Sequence, residues 1–217
     1  MDLTWYGHAC FRLRGKRGAV VTDPYPSTLS GRSPRLEADV VTISHPSRNH
    51  NFAQDVGGSP YRVEGPGEYE VQDITVQGID SRQGTPEGAS AREAPHNTIY
   101  VIELDDVRIC HLGDLGQTLD DSLEERIGDV DVLLVPVGGH NALGASQGAE
   151  VARRLEPRYV IPMHYALPQL KVELEPLDPF LKEMGVESAE PQNRLTVQPS
   201  ASSEGEIKVV VLEARTS

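Results

Sequence analysis

Residues 43–51 read ISHPSRNHN, and the histidines of that stretch, His45 and His50, follow directly on the apolar run ADVVTIS. Other groups of similar chemistry stand in similar places: His111 and Asp114 follow VRIC, His140 follows LLVPVGG, and His164 follows YVIP. Several imidazoles converging with a carboxylate would make a site for zinc, iron or manganese. A lone histidine at a strand end is ordinarily a hydrogen-bonded polar residue, and His8, His96 and His140 read that way. Three strand ends that each deliver His or Asp leave open both a metal site and an ordinary polar loop cluster.

Such residues need strands to hold them. LTWYG, ACFRL and GAVVTD read as short strands, with GKRG as a hairpin turn. ADVVTIS is a continuous apolar run, the pattern of a central strand buried on both faces. PYRVEGPGEYEVQDITVQGI continues as strands, and DSRQGTPEGASAREAPHN reads as a long polar loop. NTIYVIEL and VRICHLGD pair across a turn at Asp105-Asp106. Strands then alternate with helices: TLDDSLEERIG, with Thr118 as its expected cap, VDVLLVPVGG, ASQGAEVARRLEP, RYVIPMHY and PLDPFLKEMGV. RLTVQP and EIKVVVLEA are expected as closing strands. This order predicts an α/β domain with helices outside packed sheets, where ligand sites gather at the C-terminal ends of strands. No repeat and no flexible linker interrupts it, so residues 1–217 read as a single domain.

Composition narrows the function classes. The 217 residues carry 20 Lys+Arg against 33 Asp+Glu, a formal net charge of -13, which disfavours nucleic-acid partners. Arg12, Arg14, Lys16 and Arg17 read as a solvated hairpin around Gly15. No apolar run approaches the ~20 residues of a membrane span, and MDLTWYGHACF lacks the features of a signal peptide, so a cytoplasmic location and no membrane partner are expected. Cys10 and Cys110 fall in predicted strands and read as small buried apolar residues.

GHACF, VVTDPY, DVVTISH, GPGEYEV, NTIYVIE, CHLGDLG, VDVLLVPVGG and YVIPMHY occur in an order that resembles the metallo-β-lactamase superfamily, and most of all its small ascorbate-phosphate-lactonase-like branch of Zn-dependent hydrolases. The resemblance implies a four-layer αββα sandwich, two mixed β-sheets face to face with helices outside, and a site at one edge. The family's first metal motif, His-x-His-x-Asp-His, falls on His45, Ser47, Asn49 and His50. Its loop histidine falls on Gln83, with His96 nearby as a substitute; its bridging aspartate is Asp114 and its final histidine His164.

On that resemblance one metal position keeps only His45 and Asp114. The other keeps His50, Asp114 and His164, with Asn49 offering a weaker amide oxygen. One Zn²⁺ is therefore expected rather than two, with Fe or Mn as alternatives. An ion held by two imidazoles and a carboxylate keeps a position for water, lowers its pKa toward ~7, and would yield a hydroxide that attacks a small ester, lactone or phosphoester. Asp114 would orient that nucleophile, and His45 would bind the small-molecule substrate or shuttle protons. Asp23 and His8 are expected behind the ligands, and His111 either there or in a structural role. The same losses at Ser47, Asn49 and Gln83 support a second class of protein, a catalytically inactive scaffold or small-molecule binder without metal.

Overall fold

A computed structural model of the chain describes residues 1–31, 34–85, 93–199 and 206–215. The long loop expected before NTIYV lies partly outside these residues. Its flanks are more regular than the composition suggests: strand β7 runs from Ile74 through Arg82, and β8 starts at His96.

Two mixed sheets form the body. The first contains β1 (Asp2–Trp5), β2 (Phe11–Arg14), β3 (Ala19–Thr22), β4 (Val40–Ile43), β5 (Tyr61–Glu64) and β12 (Leu195–Thr196), in the order β12-β1-β2-β3-β4-β5. The second contains β6 (Gly67–Val71), β7, β8 (His96–Leu104), β9 (Val107–His111), β10 (Val132–Pro136), β11 (Tyr159–Met163) and β13 (Lys208–Val209), in the order β13-β11-β10-β9-β8-β7-β6. The closing strands are shorter than the sequence suggests, two residues each.

Alternation sends Leu3, Trp5, Phe11 and Leu13 inward from the first sheet, where they join Ile79, Ile99, Ile102 and Ile109 of the second in one core. Helices α2 (Asp121–Ile127), α3 (Ala145–Leu155) and α4 (Asp178–Glu183) accompany the second sheet, α3 against β10. Asp120, rather than Thr118, caps α2: its carboxylate accepts the Leu123 N–H at 2.8 Å, and Leu123 and Ile127, four apart, then face the core. The outer face of the first sheet has a thinner cover, made by Leu29 of the four-residue helix α1 (Ser27–Ser30), Tyr25, Leu36, Val56 and Leu170. Cys10 and Cys110 are buried free thiols, and burial raises both their pKa values. Among the described residues no helix is long and apolar enough to cross a membrane.

Two parallel blocks position the functional residues. β3 and β4 run parallel in the first sheet, and β9, β10 and β11 run parallel in the second. Their C-terminal ends meet at one edge of the sandwich, where the Thr98 N–H donates to the Ser44 carbonyl at 2.8 Å and joins the sheets.

Candidate metal centre

Each strand of that edge delivers at least one group. Asp23 follows β3, His45 and His50 follow β4, Asp114 follows β9, Asn141 follows β10 and His164 follows β11. His8 enters from the turn between β1 and β2. His8, Asp23 and His164 all hold positive φ, at 54°, 39° and 52°. A non-glycine residue in that region costs on the order of 1 kcal/mol, and such strain collects where function fixes a side chain's direction.

Asp114 is the centre. It is buried, with His45 Nε2 and His50 Nε2 each 3.5 Å from Oδ2 and His164 Nε2 3.2 Å from Oδ1. Burial opposes its ionisation, yet His164, His50, His45 and His8 together hold the carboxyl far below the usual carboxylate range. Its two oxygens differ. Oδ2 accepts an N–H from Asn141 at 2.8 Å, whereas Oδ1 is buried without a hydrogen-bond partner among the described residues. The backbone N–H of Asp114 donates to Asn97 Oδ1 at 2.9 Å, and Asn97 Nδ2 donates in turn to Ser81 Oγ and the Leu112 carbonyl.

Behind the histidines lies Asp23, fully buried. It accepts the Ser44 backbone N–H at 2.8 Å, the Ser44 hydroxyl at 2.6 Å and the His50 Nδ1–H at 2.8 Å. Ser44 gives its only proton to Asp23, so its Oγ accepts from His45 Nδ1, 2.9 Å away. These bonds fix both tautomers and turn the Nε2 lone pairs of His45 and His50 toward Asp114. Lone pairs facing a carboxylate demand a cation or a proton between them. Without an ion, a proton on His50 would fill that role. Burial works against the proton, but Asp114 and Asp23 outweigh it and raise the His50 pKa. Burial and neighbouring His50 lower His45 to about 4, and burial lowers His8 and His164 as well.

Among the described residues two groups of three side chains could hold an ion, His8 with His50 and His164, and Asp23 with His45 and His50, the ligand atoms of each group lying within 4.8 Å of one another. Tetrahedral zinc with ligand bonds of 2.0–2.1 Å places its ligands about 3.3 Å apart; His164 Nε2 lies 3.2 Å from Asp114 Oδ1, and His50 Nε2 lies 3.5 Å from the other oxygen, Oδ2. The other family position is closed by amides. Gln83, where the resemblance puts the loop histidine, accepts at Oε1 from Asn141 Nδ2 at 3.1 Å, and Asn141 also holds Asp114.

The structure places His45, His50 and His164 around Asp114, and brings the His8 ring against those of His50 and His164. Asn49 is half-buried, and no described hydrogen bond ties its side chain to the cluster. His96 does not substitute for the loop histidine: it is exposed and pairs with Asp80 at 3.2 Å. His111 is structural, with its Nε2–H donating to the Ala9 carbonyl at 2.9 Å while Nδ1 accepts the Gly113 N–H. His140 is exposed, and it is its neighbour Asn141 that reaches Asp114. His45 opens on a cleft of about 260 Å³ whose walls include Arg62, Glu64, Asp80, His96 and Thr98.

Two sheets with a histidine–aspartate cluster at one edge define a metallo-β-lactamase fold, and the comparisons agree. The profile of the beta-lactamase superfamily domain matches residues 2–164, so the chain belongs to the metallo-β-lactamase superfamily. It is 30% identical over 190 residues to the UPF0173 metal-dependent hydrolase of Thermococcus onnurineus, covering 76% of this chain and 84% of that one. A candidate Zn-dependent hydrolase of the same superfamily from Thermotoga maritima is 37% identical, with a TM-score of 0.77 and 97% of both chains covered. An isothiocyanate hydrolase from Delia radicum gut bacteria shares the fold alone, at 15% identity, a TM-score of 0.70, and coverage of 92% of this chain and 100% of that one.

Proposed function

We propose that this protein is a metal-dependent hydrolase that works with one divalent transition-metal ion, zinc first, held by His50, Asp114 and His164. The observation that carries the reading is the asymmetry of Asp114, with Oδ2 bonded to Asn141 and Oδ1 buried, without a hydrogen-bond partner among the described residues and 3.2 Å from His164 Nε2. The names of the Thermococcus and Thermotoga relatives support the reaction class.

When bound, the ion supplies Lewis acidity and an activated water. The chain's own residues do the rest. Asp23 fixes His50 directly and His45 through Ser44, so both imidazoles keep a free Nε2 toward the reaction centre. Of the two imidazoles only His45 also lines the cleft, beside Ser44. Its unprotonated Nε2 accepts a hydrogen bond from the attacking water or takes a proton from it, and Arg62 in the cleft wall offers an N–H fork to an acyl or phosphoryl oxygen. A small ester, lactone or phosphoester matches a cleft of this size.

Metal content of untagged protein purified without chelator, measured by inductively coupled plasma mass spectrometry beside His164→Ala, tests the reading. Near one equivalent of zinc, iron or manganese, lost in the variant, is the expected result. Metal far below one equivalent with no uptake of added zinc would overturn it in favour of a metal-free scaffold, the class to which Ser47, Asn49 and Gln83 point.

A further inference from the structure

We propose that His8, from the GHACF turn, is a protein ligand of that same ion, completing a set of three imidazoles and one carboxylate with His50, His164 and Asp114. The proposal rests on the single-ion reading above and adds a residue that the motif-based ligand set omits.

The first observation is an unmet hydrogen-bonding demand. His8 is 1% exposed, and both its ring nitrogens are buried with no hydrogen-bond partner among the described residues. A neutral imidazole has one donor and one acceptor, and leaving either unmade in the interior costs about 1–3 kcal/mol. A ring shut off from solvent at both nitrogens cannot be a proton shuttle to the cleft. It needs an internal partner.

Geometry names that partner. The His8 ring centroid lies 4.6 Å from that of His50 and 4.4 Å from that of His164, and one nitrogen from each ring falls within 4.8 Å of the others. The backbone fixes the direction, because the His8 carbonyl accepts both the Trp5 indole N–H at 3.1 Å and the His164 N–H at 3.1 Å. The two histidines are therefore registered to each other by a main-chain bond, which loop packing alone would not provide.

The ligand count explains why such a residue is recruited. With Asn49 at the family's aspartate position, the ion would have only three strong ligands. His8 restores four, and exchanges a carboxylate for a neutral imidazole. Three nitrogens and one oxygen suit zinc, iron or cobalt rather than magnesium or calcium. His45 is then relieved of ligation and stays available to the cleft.

The test uses the full chain loaded with one equivalent of zinc. X-ray absorption counts imidazoles on the ion: three are expected for the wild type and two for His8→Asn, which keeps a residue that tolerates positive φ. Chelator competition should show zinc binding by His8→Asn weakened at least about 10-fold, since even groups behind the ligands contribute that much. Unchanged thermal melting of the metal-free variant would show that the fold is intact. Two imidazoles in the wild type, or zinc affinity within about twofold of wild type in a folded His8→Asn, would overturn the proposal and assign the His8 nitrogens to a buried water. If His8→Asn does not fold, the wild-type count decides. If the wild type takes up no zinc at all, the single-ion reading fails first and His8 loses its partner with it.

Discussion

Asn141 Nδ2 stands 2.8 Å from Asp114 Oδ2 and 3.1 Å from Gln83 Oε1, so one amide occupies the carboxylate oxygen that a second ion would need. Restoring the family's ligands by Ser47→His, Asn49→Asp and Gln83→His should therefore leave zinc near one equivalent while Asn141 is present. Adding Asn141→Ala should raise it toward two. Elemental analysis of both variants reads this directly, and two equivalents in the first would show that Asn141 is no lock.

Asp23 holds three hydrogen bonds from Ser44 and His50 in full burial. Asp23→Asn preserves its shape but turns an acceptor into an amide that presents N–H groups. His50 Nδ1 would then accept rather than donate, and Nε2 would carry the proton and lose its lone pair. Zinc affinity should fall 10- to 100-fold, and the metal-free protein should lose about 2–3 kcal/mol in urea unfolding as charge-assisted bonds vanish. A variant that binds zinc like the wild type would assign Asp23 to stability alone.

The sequence exposed the strands that end in chemistry because their apolar runs are long and their polar stops abrupt: DVVTISH, CHLGD and VIPMHY. It ranked the next shell poorly, since that shell is built by through-space packing. Asn97 opens a continuously buried stretch that runs to Ile102, so no alternation in HNTIYVIEL singles it out. Nothing local distinguishes Asn141 from His140; the Gly139–Leu143 turn and the Gly84–Asn141 backbone bond aim it. Thr118 and Asp120 are both good caps, and only the burial of Leu123 and Ile127 chooses between them. From sequence His8 reads as a residue behind the ligands, because a turn histidine ordinarily finds hydrogen-bond partners; here neither ring nitrogen has one among the described residues.

In metal-free protein, acid should destabilise the fold. His8, His45 and His164 have lowered pKa values, chiefly by burial, so the unfolded chain takes up protons below about 6.5 that the folded chain refuses until, for His45, about 4. Their stabilisation is complete above the unfolded value and drains away as pH falls across that window, on the order of 3 kcal/mol for His45 alone. His50, raised by Asp114 and Asp23 against the penalty of burial, acts oppositely and contributes only as pH falls. Three groups outweigh one. Asp23 and Asp114, also lowered, add their losses only below the usual carboxylate range near 3.9. The urea midpoint of chelator-treated protein should therefore fall between pH 7.5 and 4.5. Saturating zinc should steepen the fall, because ions and protons compete for the same nitrogens. A flat or rising midpoint would contradict the burial argument.

Gly138 precedes the Asn141 loop at a point where the chain has no room for a side chain. A Cβ there would sit 2.1 Å from the His164 carbonyl oxygen and 2.9 Å from the Tyr165 Cα. Both obstacles are backbone and cannot swing away, so Gly138→Ala must push the β11 end, and His164 with it, away from β10. The Val137 N–H to Met163 carbonyl bond at 3.1 Å lies beside the displaced segment and should weaken too. Overpacking of this kind costs about 1–3 kcal/mol. The expected outcome is a lowered melting temperature together with zinc affinity reduced more than stability loss alone explains, because the displacement acts on a ligand. Gly144→Ala is the comparison, since its nearest neighbours would be 3.8 and 3.9 Å from the new methyl group. It should bind zinc as the wild type does and lose at most about 1 kcal/mol at the start of α3. Equal zinc affinity in the two variants would mean that the β11 end is not what positions His164.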